Sequence, residues 1–154
     1  MQVLVADSAP AARSALKLYI EQWRTDARIL EAGSSAEVME HAATTRIDVA
    51  LVDWHLPKLG GQTTVLRLRS LQPSACIIVL SGRPEAVKEV REAEADAFIS
   101  KADPPDTLRM LLERPDACPD EVGRKGGSAG VFPTRRRSRG VRQAFQPRLG
   151  TIPI

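Results

Sequence analysis

The chain has 154 residues, of which 43% are hydrophobic, 27% charged and 4% aromatic, a composition that suits one soluble globular domain and excludes a collagen-like, wholly disordered or large multidomain protein. No stretch approaches the ~20 apolar residues that span a bilayer, and the N-terminus from Met1 to Asp7 lacks a basic segment followed by a long apolar run, so no membrane role and a cytoplasmic location are expected. The net charge of +3 is unevenly spread: residues 1–113 carry 13 basic and 16 acidic side chains, residues 114–154 carry 9 and 3.

Three short apolar runs, Val3–Ala6, Val49–Val52 and Ile77–Leu80, are of strand length and continuous, as expected for central strands of a parallel sheet covered on both faces. Ala27–Glu31 is mixed and Ala97–Ser100 is short, which places these two strands at the sheet edges. Between the first two strands, Ala12, Ala15, Leu16, Tyr19, Ile20 and Trp23 fall on one face of a helix over residues 10–23, with Ser8 or Ala9 at its cap and Pro10 in its first turn. Ser34-Ser35-Ala36-Glu37 is a capping-box signature for a second helix. Further helices are predicted at about 62–70, 84–94 and 104–113, the last two opened by Pro84 and Pro104.

The alternation reads as an α/β fold, a doubly wound five-stranded parallel sheet of flavodoxin-like order 2-1-3-4-5, spanning residues 1–113. Residues 114–154 hold 5 Pro, 6 Gly and the run Arg135-Arg136-Arg137-Ser138-Arg139. They read as a basic, disordered tail. The two cysteines, Cys76 and Cys118, are too few for a disulfide framework or a four-ligand zinc site.

The chemistry lies at the carboxyl end of each apolar strand. Asp7 comes after the first, Asp53 after the third, Ser81 after the fourth and Lys101 after the fifth. In the order 2-1-3-4-5 those four strands are neighbours, so two carboxylates, a hydroxyl and an ammonium meet at one rim. Any one polar residue at a strand end is ordinary, but the four form a coherent set. Two carboxylates with a backbone carbonyl make an oxygen site for Mg²⁺, a carboxylate is a competent nucleophile for phosphorus, and phosphoryl transfer needs chiefly alignment and charge neutralisation.

These residues resemble the receiver domains of bacterial two-component response regulators. The segment Leu51-Val52-Asp53-Trp54-His55-Leu56-Pro57-Lys58-Leu59-Gly60-Gly61 is similar to the phosphoacceptor motif, Val79-Leu80-Ser81-Gly82 to the Ser/Thr motif, and Ala95-Asp96-Ala97-Phe98-Ile99-Ser100-Lys101 to the final lysine motif. The intervals of 46, 28 and 20 residues between Asp7, Asp53, Ser81 and Lys101 also agree. The resemblance implies Asp53 as the phosphoacceptor and Asp7, Asp53 and the His55 carbonyl as holders of Mg²⁺. It implies Ser81, Lys101 and Phe98 as the phosphoryl-binding and switch residues, signalling through a face around the fourth helix, fifth strand and fifth helix. The implied partners are a sensor histidine kinase or phosphotransfer protein, a downstream protein effector, and a second copy of the chain. The expectation is a stand-alone signalling switch, not a metabolic enzyme, that assists its own phosphorylation.

Two positions depart from the family pattern. Ser8 stands where a second acid is usual, leaving it either a weak or indirect metal ligand or simply the cap of the first helix. A phosphorylation-independent pseudo-receiver therefore stays open. Ala102 follows Lys101 where proline is usual. Phe98 reads equally as switch or core aromatic, and Trp54 as a partly exposed loop aromatic. The arginine run offers a second hypothesis, nucleic-acid binding by the tail. A haloacid-dehalogenase-like phosphatase would need a second Asp two residues after the nucleophile, where His55 stands, and no Gly-rich phosphate loop supports a flavin or nucleotide site.

Overall fold

The computed structural model describes residues 1–113 and the backbone of Gly130–Val131. In chain order the elements are β1 (Gln2–Ala6), α1 (Pro10–Glu21), β2 (Arg28–Ala32), α2 (Ser35–Thr44), β3 (Val49–Asp53), α3 (Gly60–Leu71), β4 (Cys76–Ser81), α4 (Val87–Glu92), β5 (Ala97–Ser100), α5 (Pro105–Leu112) and β6 (Gly130–Val131). A 3₁₀ turn, Pro84–Ala86, leads into α4. Strands β1 to β5 are parallel in the order 2-1-3-4-5 expected from the sequence.

Alternation along each strand builds a three-layer molecule. Leu4, Ala50, Val52, Ile77, Val79 and Phe98 point to one face, where they pack with Val38, Val65, Leu68 and Val90 of α2, α3 and α4. Val3, Val5, Leu51, Ile78, Leu80 and Ile99 point to the other, against Ile20 of α1 and Leu108, Leu111 and Leu112 of α5. The continuous apolar runs are thus two interleaved half-strands, each serving its own core.

Local chemistry sets the helix boundaries. Pro10 starts α1, but its N-cap is Ala9 and no side chain caps it. Ser8 is exposed, so the reading of Ser8 as helix cap is corrected: Ala9 takes that position and its own N–H donates to Asp7 Oδ1 at 2.9 Å. Ser34 does cap α2, accepting from the Glu37 N–H at 3.4 Å. The Glu37 carboxylate reaches back one residue further than in a standard box, to the Gly33 N–H at 2.7 Å.

The fifth strand also differs from expectation. β5 is buried at all four positions, with Phe98 in one core and Ala97 and Ile99 in the other, and the sheet continues beyond it: β6 pairs antiparallel, Phe98 opposite Gly130 and Ala97 opposite Val131. The sixth strand comes from the segment read as tail. The rest of that segment, including Arg135–Arg139, lies outside the described residues. At the amino ends of β4 and β5, Asp96 accepts from the Ile77 N–H at 2.8 Å and pairs with Arg69. That member of the final lysine motif thus ties α3 to the sheet, away from the rim that carries the site.

Candidate functional site: an acidic rim at the carboxyl ends of the strands

Hydrogen bonds that run one residue past the strands fix the rim. The Asp7 N–H donates to the Ala32 carbonyl at 3.0 Å, Trp54 N–H to Leu80 at 2.9 Å, and Lys101 N–H to Ser81 at 2.8 Å. The backbone bearing each predicted residue is therefore held by the neighbouring strand.

Lys101 Nζ lies 2.9 Å from Asp7 Oδ2 and 3.2 Å from Asp53 Oδ1. One ammonium bridges both carboxylates, and their oxygens are no further apart than the sum of those distances. The acids are buried, Asp7 2% and Asp53 5% exposed, while the lysine side chain is 40% exposed. Burial opposes the charge on Lys101, but the hydrogen bond it donates to Asp7 and the charge of Asp53 outweigh it and hold its pKa above the ordinary lysine value. A tight turn presents the lysine: Asp103 N–H donates to the Ser100 carbonyl at 2.9 Å, and Ser100 N–H to Asp103 Oδ2 at 2.9 Å. With Ala102 in place of proline, the described residues contain no cis peptide bond.

Ser81 is fully buried. Its Oγ accepts from the Arg83 N–H at 3.0 Å, which leaves the hydroxyl proton uncommitted among the described residues. Phe98 is buried in the core on the α4 side. His55 is exposed between two buried neighbours, Trp54 and Leu56, on a turn closed by the Leu56 N–H on the Asp53 carbonyl at 3.2 Å.

Trp54 corrects the sequence reading, for it is only 9% exposed and belongs to the core. The reason is Gly61: a Cβ there would lie 2.5 Å from Trp54 Cε3 and 2.5 Å from its carbonyl oxygen. The indole occupies the space that a side chain would take. Gly60 serves the same loop differently, with φ at +75°.

Sequence reasoning missed three residues that hold the loops around this site. Arg13 Nη1 donates to the Asp7 carbonyl at 2.7 Å, an arginine in the first turns of α1 that nothing in the pattern distinguishes from a solvated one. Ser35 and Thr64 meet at 2.7 Å in the α2–α3 interface. A polar residue in the middle of the α3 apolar stripe was the signal available there.

The donor set is made of hard oxygens. Two carboxylates against one ammonium leave the rim net negative, and no group of three or more His, Cys, Asp or Glu gathers among the described residues. Such a rim fits Mg²⁺, which takes one or two protein carboxylates and fills its shell with water and phosphate oxygens, and does not fit a closed zinc site. No described helix is long and apolar enough to cross a membrane.

Comparison with known proteins agrees with this geometry. The response regulator receiver domain family matches residues 3–113. The transcriptional activator protein ExaE of Pseudomonas putida is 28% identical over 145 residues, covering 84% of this chain and 68% of its own length. A putative transcriptional regulator of Pseudomonas aeruginosa is 34% identical over 103 residues, covering 65% of this chain and 49% of its own. This chain thus spans about half to two thirds of the length of these relatives. Among solved structures, a CheY-like receiver domain protein of Methanospirillum hungatei superposes with a TM-score of 0.68 at 24% identity, covering 76% of this chain and 94% of that one. With the parallel sheet, the acidic rim and the match over residues 3–113 in agreement, the chain belongs to the response regulator receiver domains of two-component systems.

Proposed function

We propose that Asp53 accepts a phosphoryl group from the phosphohistidine of a sensor kinase or phosphotransfer protein, with Mg²⁺ held by Asp7, Asp53 and the His55 carbonyl. The observation that carries this reading is the Lys101 ammonium set between the two buried carboxylates. A carboxylate oxygen of Asp53 attacks phosphorus as the phosphorus–nitrogen bond of the donor breaks, and the leaving imidazole takes its proton from solvent or from the donor's own partner. Lys101 is already at hydrogen-bond distance from Asp53 and moves with the charge onto a phosphoryl oxygen. Ser81, whose hydroxyl proton has no acceptor among the described residues, donates to another. Bound Mg²⁺ would neutralise phosphoryl charge that one lysine cannot. Ser8 in place of a second acid makes that ion more weakly held.

The phosphoryl group would draw Ser81 and Lys101 towards itself and so reset β4, β5 and the turn into α4, where Phe98 packs. Signalling is then a shift between two pre-existing arrangements of the α4–β5–α5 face, read by a protein effector. The protein stores a signal as an acyl phosphate and turns over no metabolite.

The test is intact-protein mass spectrometry after incubation with acetyl phosphate, with and without Mg²⁺. One added phosphoryl group that requires Mg²⁺ and is absent from Asp53→Asn supports the reading. Addition that persists in Asp53→Asn refutes the site, and no addition to the native chain establishes a phosphorylation-independent module instead.

A further inference from the structure

We propose that Ser35 and Thr64 are positioning residues for the proposed Mg²⁺ site, clamping the loop that carries the His55 carbonyl; this rests on the reading of Asp53 as a metal-dependent phosphoacceptor. Both side chains have 0% exposure, and neither touches Asp7, Asp53 or Lys101 in the hydrogen-bond pattern. A buried hydroxyl is unfavourable unless its proton and lone pairs are used, and here they are used on each other and on the backbone that leads into α3.

Ser35 sits in the first turn of α2. Its N–H donates to the Pro57 carbonyl at 3.2 Å and its hydroxyl to the same oxygen at 3.0 Å, so one residue serves both lone pairs of Pro57. Its Oγ also accepts from the Leu59 N–H at 3.4 Å. Thr64, on α3, lies 2.7 Å from Ser35 Oγ and 2.6 Å from the carbonyl of Gly60, the first residue of its own helix; with the Ser35 proton given to Pro57, the single Thr64 proton serves one of these two oxygens at a time. Two hydroxyls thus reach the backbone of Pro57, Leu59 and Gly60.

That segment needs holding. Lys58 has φ of +86° and Gly60 φ of +75°, so the chain passes through the left-handed region twice in three residues, once at a residue with a Cβ. Its other end is pinned at β3, where the Trp54 N–H donates to Leu80 at 2.9 Å. His55 lies between the two anchors, its side chain exposed, so the place of its carbonyl is set by the anchors and not by its own packing. Aliphatic side chains at 35 and 64 would fill the α2–α3 interface equally well but would leave only the residue 35 backbone N–H on the Pro57 carbonyl, and nothing on Leu59.

The test uses backbone-amide NMR of the full chain titrated with Mg²⁺, together with amide hydrogen exchange, for wild type, Ser35→Ala, Thr64→Val and Thr64→Ser. Thr64→Val is close to isosteric and keeps the core filled. In Ser35→Ala and Thr64→Val the Mg²⁺ dissociation constant should rise by about three- to tenfold. The Leu59 and Gly61 amides should exchange at least about tenfold faster while Val52 and Val79 keep their protection. Thr64→Ser, which retains the hydroxyl, should behave as wild type. Unchanged Mg²⁺ affinity in both variants, or a Thr64→Ser protein as impaired as Thr64→Val, would make the pair merely structural and overturn the inference. A wild-type protein whose spectrum does not respond to Mg²⁺ would instead remove the metal-dependent reading itself.

Discussion

Lys101 Nζ and Asp7 Oδ2, 94 residues apart in the chain, lie 2.9 Å from each other, and the same ammonium lies 3.2 Å from Asp53. The contact joins the end of the first strand to the loop after the fifth, across the ends of the third and fourth. It compensates two carboxylates that folding removes from water.

Lys101→Met should therefore destabilise the metal-free protein by ~1–2 kcal/mol, less than for a fully buried pair because the lysine is substantially exposed. Two buried acids are then left facing each other, so added Mg²⁺ should stabilise this variant more than wild type. Urea titrations with and without Mg²⁺ measure both effects. An equal response to Mg²⁺ in the two proteins would argue against a cation site at these carboxylates.

The same pair predicts an alkaline dependence. The folded-state pKa of Lys101 is raised, so the ammonium contributes stability that is fully present below the ordinary lysine value of about 10.4 and is lost as pH climbs through the raised one. The stability difference between wild type and Lys101→Met should be flat from about pH 7 to 9 and shrink only above about pH 10. Denaturant unfolding of the two proteins in parallel checks this, since titration of groups remote from Asp7 and Asp53 cancels in the difference.

Ser8 is exposed beside Asp7, and Ser8→Asp adds a carboxylate to the rim. Mg²⁺ affinity should rise by about tenfold, the scale of one more charge a few ångströms from a partly solvated cation. Stability without metal should fall. Calorimetric Mg²⁺ titration reads the first, thermal unfolding in chelator the second.

Gly61→Ala places a Cβ 2.5 Å from both the Trp54 ring and its carbonyl. The better helix propensity of alanine, about 1 kcal/mol, is opposed by overpacking of about 1–3 kcal/mol, so the variant should be less stable than wild type and its Trp54 emission shifted. Gly60→Ala meets no atom within 4 Å but requires φ of +75°, so it should lose about 1–2 kcal/mol from backbone strain alone, with the indole undisturbed. Urea unfolding followed by tryptophan fluorescence separates the two.

The sheet order and the four rim residues were legible because they depend on short-range pattern: continuous apolar runs fix strands, and strand ends fix Asp7, Asp53, Ser81 and Lys101. What was not legible depends on contacts between distant segments. Trp54 looks like a loop residue until Gly61 is seen beneath it. Ser35 looks like part of a capping box, and only its contact with Thr64, 29 residues away, gives it a second use. The extension of the sheet beyond β5 comes from Gly130–Val131, a pair with no strand signature of its own in a segment rich in glycine, proline and arginine.

The central claim is that Asp53 carries the phosphoryl group, and the most direct measurement is chemical mapping of the acyl phosphate. Borohydride reduction of protein treated with acetyl phosphate and Mg²⁺, followed by peptide sequencing on a mass spectrometer, should find homoserine at position 53. Homoserine at another acidic residue, or a phosphoryl group that resists borohydride and sits on a hydroxyl side chain, would contradict it.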